Sequence, residues 1–591
     1  MTTAAALKLD LYRKAEDIRD LAAILGLAPA HISYALFKMP DANKYKVFTV
    51  PKKTGGVRTI KAPHKTLKAI QKRLAQDLMG IEAHLEAVRV KKRDCILAHG
   101  FKKKLSIMTN GENHRHRRYV FNVDLKDFFP SINFGRVYGF FQKNQSFNLK
   151  PKVAAAIAQL ACFENQLPQG SPCSPVISNL IAGILDVRLN ELAQQYNCSY
   201  TRYADDITFS TSEQNFPSAI GQRHPGSINL WEAGPKLLKA IKRAGFELNA
   251  TKTRMQLSYS RQDVTGIIVN QKVNIPVDYY ETVAAMCHHL FMDGACFTKV
   301  GGVRHPFPLK RLRGRLAYIY QVRGKGPKPK TVDEAGEPKG GAKFWASTNL
   351  FERFLNYADL YGAERPVLLC EGVTDNIYIR SALHALAAKY PTMITPASEL
   401  KVKLFKYTKT SAAIQQLGGG SGELVKLLRE YRKRTAKFKS GAKHPLILIA
   451  DSDEGSKELF KEVTKRTGHK VDGTHAWYRI MTNLYVVPIP KVGAADTPIE
   501  RLFEQVVLDK TYDGKKFDMT NSETDGSKFY GKKVFATKVV AANRGAIKFD
   551  GFEPLLTAIA EVIEDYKTKV APVLALIPAA AAPAPPAPVP A

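Results

Sequence analysis

Three aspartates, Asp124, Asp205 and Asp206, have the types and setting needed to hold metal ions. Asp124 closes an apolar run at 119–123 and opens Leu125-Lys126-Asp127-Phe128-Phe129. Asp205 and Asp206 sit in Tyr203-Ala204-Asp205-Asp206, just ahead of Ile207-Thr208-Phe209. A strand-end Asp and an Asp pair in a tight turn can meet at one edge of a sheet. Carboxylates are the hard oxygen ligands that Mg²⁺ requires. Phosphoryl transfer to a growing strand uses two such cations about 3.5–4 Å apart, one at the attacking hydroxyl and one at the triphosphate. Alone, each element is weak, because a strand-end Asp is commonly a cap and two adjacent Asp residues a solvated turn.

Between the two blocks lies Leu167-Pro168-Gln169-Gly170-Ser171-Pro172-Cys173-Ser174-Pro175. Gly170 lets backbone approach a ligand closely, Gln169 offers an amide to a sugar or base, and the prolines stiffen the loop. An ordinary turn before a helix has the same composition. In this order the blocks resemble the reverse transcriptase family over about 45–320, and the resemblance implies fingers, palm and thumb. Arg58 resembles the fingers arginine that grips a triphosphate, a task suited to bidentate guanidinium; Lys52 and Lys53 either assist or sit on a solvated hairpin tip. Phe129 resembles a steric gate that selects dNTPs, or is a core aromatic. Asn249 and Lys252 resemble a later palm motif, with Lys252 either near the leaving pyrophosphate or facing solvent.

Two further segments, Asn110-Gly111-Glu112-Asn113-His114 and Val264-Thr265-Gly266, resemble the signatures of retron reverse transcriptases, with Gly111 where Ala is usual. Ala98-His99-Gly100-Phe101 is similar to the group as well. The resemblance implies RNA contacts from these segments; His114 either makes one or fixes a loop. It implies a cognate noncoding RNA as template and primer, dNTPs as substrates, and a branched RNA–DNA product, msDNA. The other readings are a group II intron-like reverse transcriptase and a nucleic-acid-binding scaffold.

A second acidic set lies downstream. Glu371 ends the apolar run 367–370, and Asp451 and Asp453 follow the run 446–450. Continuous apolar runs suit parallel strands buried on both faces, whose functional edge is the carboxyl one. Three carboxylates sharing that edge repel one another without a cation, which points to Mg²⁺. This arrangement resembles the Toprim domain, including nucleases of the OLD type, over about 362–565. It implies one or two further Mg²⁺ ions, a nucleic-acid target and a role in bacterial anti-phage defence. Glu500 and Glu504 resemble a further acidic segment of that nuclease branch, or form the first turn of a helix. Lys533 and Lys538 are weak candidates for a cationic assistant.

The elements that must position these groups follow from patterning. Apolar spacing through Leu21, Ile24, Leu25, Ile32 and Leu36 predicts an N-terminal helical segment over 1–44. Two β-type runs around a Gly-containing loop, at 45–50 and 57–60, predict a hairpin, and 64–80 reads as helix. The expected fold is an α+β right-hand polymerase over 45–323, then a linker at 324–361. An α/β Toprim Rossmann-like domain follows at 362–568, ending in a disordered Ala/Pro tail at 569–591.

Composition agrees with a polyanion partner. Lys and Arg number 88 against 54 Asp and Glu, a formal charge of +34, and such a surface gains affinity for phosphate backbones by counterion release. Seven scattered cysteines without a C-x-x-C pair argue against a disulfide framework or a zinc site. With no signal-like N-terminus and no apolar run of about 20 residues, the expectation is a cytoplasmic protein that binds no membrane; self-association into a homo-oligomer is compatible with it.

Overall fold

The computed structural model describes residues 4–52, 55–93, 95–227, 230–324, 346–493, 497–519 and 525–575. Two compact units divide at Pro276 and Val277.

The first unit opens with short helices, beginning with Ala4–Lys14 and Ile18–Ile24. The predicted hairpin follows: β1 (Tyr45–Pro51) pairs antiparallel with β2 (Val57–Pro63). Gly55 and Gly56 take φ of 88° and 76° at its tip, backbone that glycine adopts without strain. Lys53 lies outside the described residues. The helix expected at 64–80 runs on as Lys65–Arg93. The central sheet is antiparallel, with β3 (Tyr119–Asp124) between β5 (Asp206–Thr211) and the strand Arg254–Leu257, and β4 (Ser199–Tyr203) outside β5. Phe121, Ile207, Phe209 and Tyr200 join the core with Leu185 and Leu189 of the helix Ser174–Gln195.

The second unit begins with the helix Val277–Asp293, a hairpin of Phe297–Val300 with Val303–Pro306, and the helix Leu309–Arg323. Five strands then form one sheet. Lys403–Leu404, Val367–Cys370, Leu446–Ala450 and Leu484–Pro488 run parallel in that order, and Tyr478–Met481 closes the edge antiparallel. Leu368, Cys370, Ile447 and Ile449 enter one core while Val367, Leu369, Leu446 and Leu448 enter another. Burial on both faces explains why these strands read as unbroken apolar runs.

Three expected boundaries move. Of the linker, 325–345 lies outside the described residues, but Ala346–Asn356 is a helix that buries Phe351, Phe354 and Leu355. Gly, Pro and Lys at 324–341 mask this helix in the composition. Residues 277–323 group with the second unit, not with the central antiparallel sheet of the first. The reason is packing: Phe291 meets Tyr357 and Phe438 at 5.6 and 5.1 Å, and Arg313 pairs with Asp359 at 2.6 Å. At the other end, helical structure continues through Tyr566–Val570 and Ala571–Ala575, shortening the expected tail; 576–591 lies outside the described residues. Among the described residues no single helix is long and apolar enough to cross a membrane.

Candidate polymerase site and a second acidic cluster

Strand register brings the three aspartates together. Asp124 pairs directly with Asp206 across β3 and β5, and the Leu125 amide donates to the Asp205 carbonyl at 3.0 Å. Tyr203 pairs with Asp206, so Ala204 and Asp205 alone form the turn. Ala204 has φ 58°, a left-handed conformation that costs a non-glycine residue energy. Two contacts hold it there. Arg202 donates from Nη1 to the Ala204 carbonyl at 3.0 Å. Gly100 lies so close that a Cβ would stand 2.7 Å from the Ala204 nitrogen. The family-like segment around His99 thus acts as a brace: the His99 amide donates to the Arg202 carbonyl, and the Arg202 amide to that of Leu97, both at 2.8 Å.

Arg202 is wholly buried, and sequence reasoning missed it. Its Nε and Nη2 donate to Asp186 Oδ1 and Oδ2 at 2.7 and 2.8 Å, and the Tyr200 hydroxyl donates to Asp186 Oδ1 at 2.7 Å. A bidentate pair of this kind fixes both side chains in one orientation. An Arg directly before the Tyr203-Ala204-Asp205-Asp206 turn was the available signal.

The aspartates repel one another. Burial, then the Asp205 and Asp124 charges, push Asp206 up to about 6. Burial and Asp124 also raise Asp205, against the lowering influence of Lys252 and Arg58. Lys252 Nζ donates to both oxygens of Asp124, at 2.9 and 2.8 Å. Burial lowers the Lys252 pKa, but that bond and the nearby carboxylates outweigh it and raise it. Among the described residues no three acidic, His or Cys side chains close into a finished metal cage. The donor set itself fits Mg²⁺: hard oxygens, crowded and mutually repulsive.

A pH dependence follows. Without metal, Asp206 holds its proton more tightly folded than unfolded. Its contribution to stability is therefore present below the ordinary aspartate range and lost as pH rises through about 6. Thermal melts in chelator should show this loss, and Mg²⁺ should restore stability above that pH. A melting temperature that ignores Mg²⁺ on the alkaline side counts against the site.

The expected substrate contacts divide. Arg58 is exposed on β2 within electrostatic range of Asp205. The Lys61 amide of the same strand donates to the Gln169 carbonyl at 2.8 Å. Gly170, at φ 126°, leaves room for the Lys61 carbonyl, which a Cβ would meet at 2.7 Å. The Gln169 loop and the Arg58 strand are thereby tied together. Phe129 is half-buried beside Phe101 and Phe128.

The two signature segments meet each other, with Asn110, Gly111 and His114 of the first buried and Glu112 and Asn113 exposed. His114 is fully buried, bonded through Nδ1 to Ser210 and Nε2 to Thr201 at 2.7 Å each. Burial, Arg117 and His99 push its pKa down to about 3, so it is a neutral core residue joining β4 and β5. Both ring nitrogens are therefore bonded within the protein. Asn110 and Val264 are likewise buried. Thr265 and Gly266, at φ 49° and 81°, make the two-residue turn between Asp263–Val264 and Ile267–Ile268, the geometry of a type I′ hairpin. Gly111 packs under that hairpin, where a Cβ would lie 2.9 Å from Ile267 Cδ1. Of the five, Gly266 is exposed and Thr265 half-buried.

The second cluster forms on the adjacent parallel strands Val367–Cys370 and Leu446–Ala450. Glu371 Oε2 accepts from the Asp451 amide at 3.3 Å and the Ser456 hydroxyl at 2.8 Å. Burial, then Asp375 and Glu371, push Asp451 up to about 8. Asp453 caps the turn Glu454–Ser456 and contributes to raising Glu371. Glu500 is fully buried, and Lys532 donates to it at 3.1 Å. The Ile499 amide, one residue earlier, donates to Asp451 at 2.9 Å. Asp375 is also buried here, accepting from the Gly372 amide at 2.7 Å. Its place four residues after Glu371 was the overlooked signal. Glu504, Lys533 and Lys538 face solvent, and among the described residues it is Lys532 that pairs with this cluster. A short helix running directly into a π-type turn at Phe535–Val540 defeats periodicity there.

The description "Reverse transcriptase (RNA-dependent DNA polymerase)" fits residues 50–275, the span of the first site. The chain is 30% identical to the Retron Ec86 reverse transcriptase of Escherichia coli over 285 residues, 48% of this chain and 78% of that one. It is 32% identical to the Retron Mx65 reverse transcriptase of Myxococcus xanthus, covering 47% of this chain and 64% of that one. Apo telomerase from Candida tropicalis overlaps 67% of this chain and 65% of its own at 11% identity and a TM-score of 0.30, too low to carry an argument. Carboxylates aligned by strand register, and a relative matched over most of its length, place this chain in the retron reverse transcriptase family.

Proposed function

We propose that the chain copies part of a cognate noncoding RNA into branched msDNA, and that its second unit is a Toprim nuclease acting in anti-phage defence. The observation that carries the polymerase half is Asp124 opposite Asp206, with Asp205 in the adjoining turn. Two Mg²⁺ ions bound there would supply hydroxyl activation and charge neutralisation at the triphosphate. Asp124, Asp205 and Asp206 would hold them, and Lys252, which bonds Asp124 here, is the cation available to the leaving pyrophosphate. Arg58 orients the triphosphate from the fingers hairpin. Phe129 fills the space of a ribose 2′-hydroxyl, so Phe129→Ala should raise rNTP incorporation relative to dNTP; an unchanged ratio removes the gate.

For the second unit, Glu371, Asp451 and Asp453 would hold Mg²⁺, with Glu500 and Lys532 setting their orientation and charge. Glu371→Ala or Asp451→Ala should leave DNA synthesis intact and abolish metal-dependent cleavage of nucleic acid and any growth arrest. Equal loss of synthesis would show that the halves are not separable.

The decisive experiment is to purify the protein from its host and sequence the nucleic acid that accompanies it. A DNA joined through a guanosine 2′-hydroxyl to RNA is the expected finding. Linear RNA alone would refute the branched product.

A further inference from the structure

A cavity of about 570 Å³ opens beside the outermost strand Tyr478–Met481 of the second unit. It is separate from both acidic clusters, and its chemistry is the reverse of theirs. Arg466, His469, His475, Trp477 and Arg479 line it, with Glu561 as an acidic member. Its size falls within the roughly 300–1,000 Å³ typical of small-ligand sites.

The rings form a ladder. His475 lies parallel to Tyr478, with centroids 5.8 Å apart and planes 11° apart. His469 follows at 5.0 Å from His475, tilted by 34°. Trp477 Nε1 donates to Glu561 at 3.1 Å, which fixes the indole. Glu462 accepts from Arg466 Nε at 2.8 Å and so holds that guanidinium. His469 and His475 are exposed although stacked. A planar π-face continues such a ladder, and guanidinium groups suit the phosphate attached to it.

We infer that this cavity binds an unstacked nucleotide, its base against the aromatic side chains that line it, His469, His475 and Trp477, and its phosphate at Arg466 and Arg479. The ligand is either a free nucleoside monophosphate or one residue of a single strand. The site does not depend on the nuclease reading of the neighbouring cluster.

The test is photolabelling of the full-length protein, in chelator, with an azidoadenosine monophosphate and separately with an oligodeoxynucleotide carrying the same azidoadenine. Labelled peptides are mapped by mass spectrometry, which separates this cavity from the polymerase site. The expected label falls within residues 466–479 and drops by about tenfold in His475→Ala, the effect of losing one stacking partner. Arg466→Gln should lower it as well. Labelling by the monophosphate identifies a free nucleotide as ligand; labelling by the oligonucleotide alone identifies a strand. Absence of label from this segment with both probes, or label undiminished in both variants, overturns the assignment. His475 is exposed and the Arg466 side chain partly so, and an unchanged melting temperature with intact dNTP incorporation verifies the fold of each variant.

Discussion

Asp205→Asn with Asp206→Asn should lower dNTP incorporation by about a thousandfold or more, the scale of several kcal/mol of lost metal stabilisation. Asn keeps the size and one oxygen of each side chain but removes the charge that a divalent cation needs. The geometry separates this from misfolding. Both carboxylates are raised by burial and by their neighbours, so neutralising them relieves repulsion in the metal-free protein. Thermal stability in chelator should hold or rise while primer extension vanishes. Retained extension would disprove the site, and a collapsed melting temperature would contradict the repulsion.

The opposite pattern is expected at Asp186. Its carboxylate holds the wholly buried Arg202 in a bidentate pair and accepts from Tyr200. Asp186→Ala leaves a buried guanidinium without its counter-charge, a change that costs about 3–5 kcal/mol. Denaturant unfolding would measure it. Extension should fall too, because Arg202 also holds the Ala204 carbonyl and with it the strained turn that presents Asp205. The double variant Asp186→Leu with Arg202→Met removes both charges and should recover much of the stability without the activity. If Asp186→Ala is as stable as the parent, the pair does not anchor the turn.

Much of this was legible from residue order alone. Alternation and apolar runs located β3, β5 and the two central strands of the parallel sheet, because burial dictates composition where both faces are covered. Carboxylates at strand ends could then be placed on shared edges. What escaped were features set by tertiary contacts. Asn110 and His114 look like polar surface positions, yet Ser210 and Thr201 supply the partners that let His114 sit in the core. Arg202 reads as surface charge until Asp186, a helix away, meets it. The helix Ala346–Asn356 carried its own signal in the spacing of Phe351, Phe354 and Leu355, but the Gly- and Pro-rich stretch before it dominated the reading.

The packing of Phe291 and Arg313 against Tyr357, Phe438 and Asp359 bears on how such a chain can be dissected or assembled by recombination. A gene cut at residue 324 would leave one fragment with a bare apolar helix face and the other with an unfilled hole. Severing at 276 spares those contacts. The domain swaps that succeed should be those carrying 277–323 along with the sheet that follows.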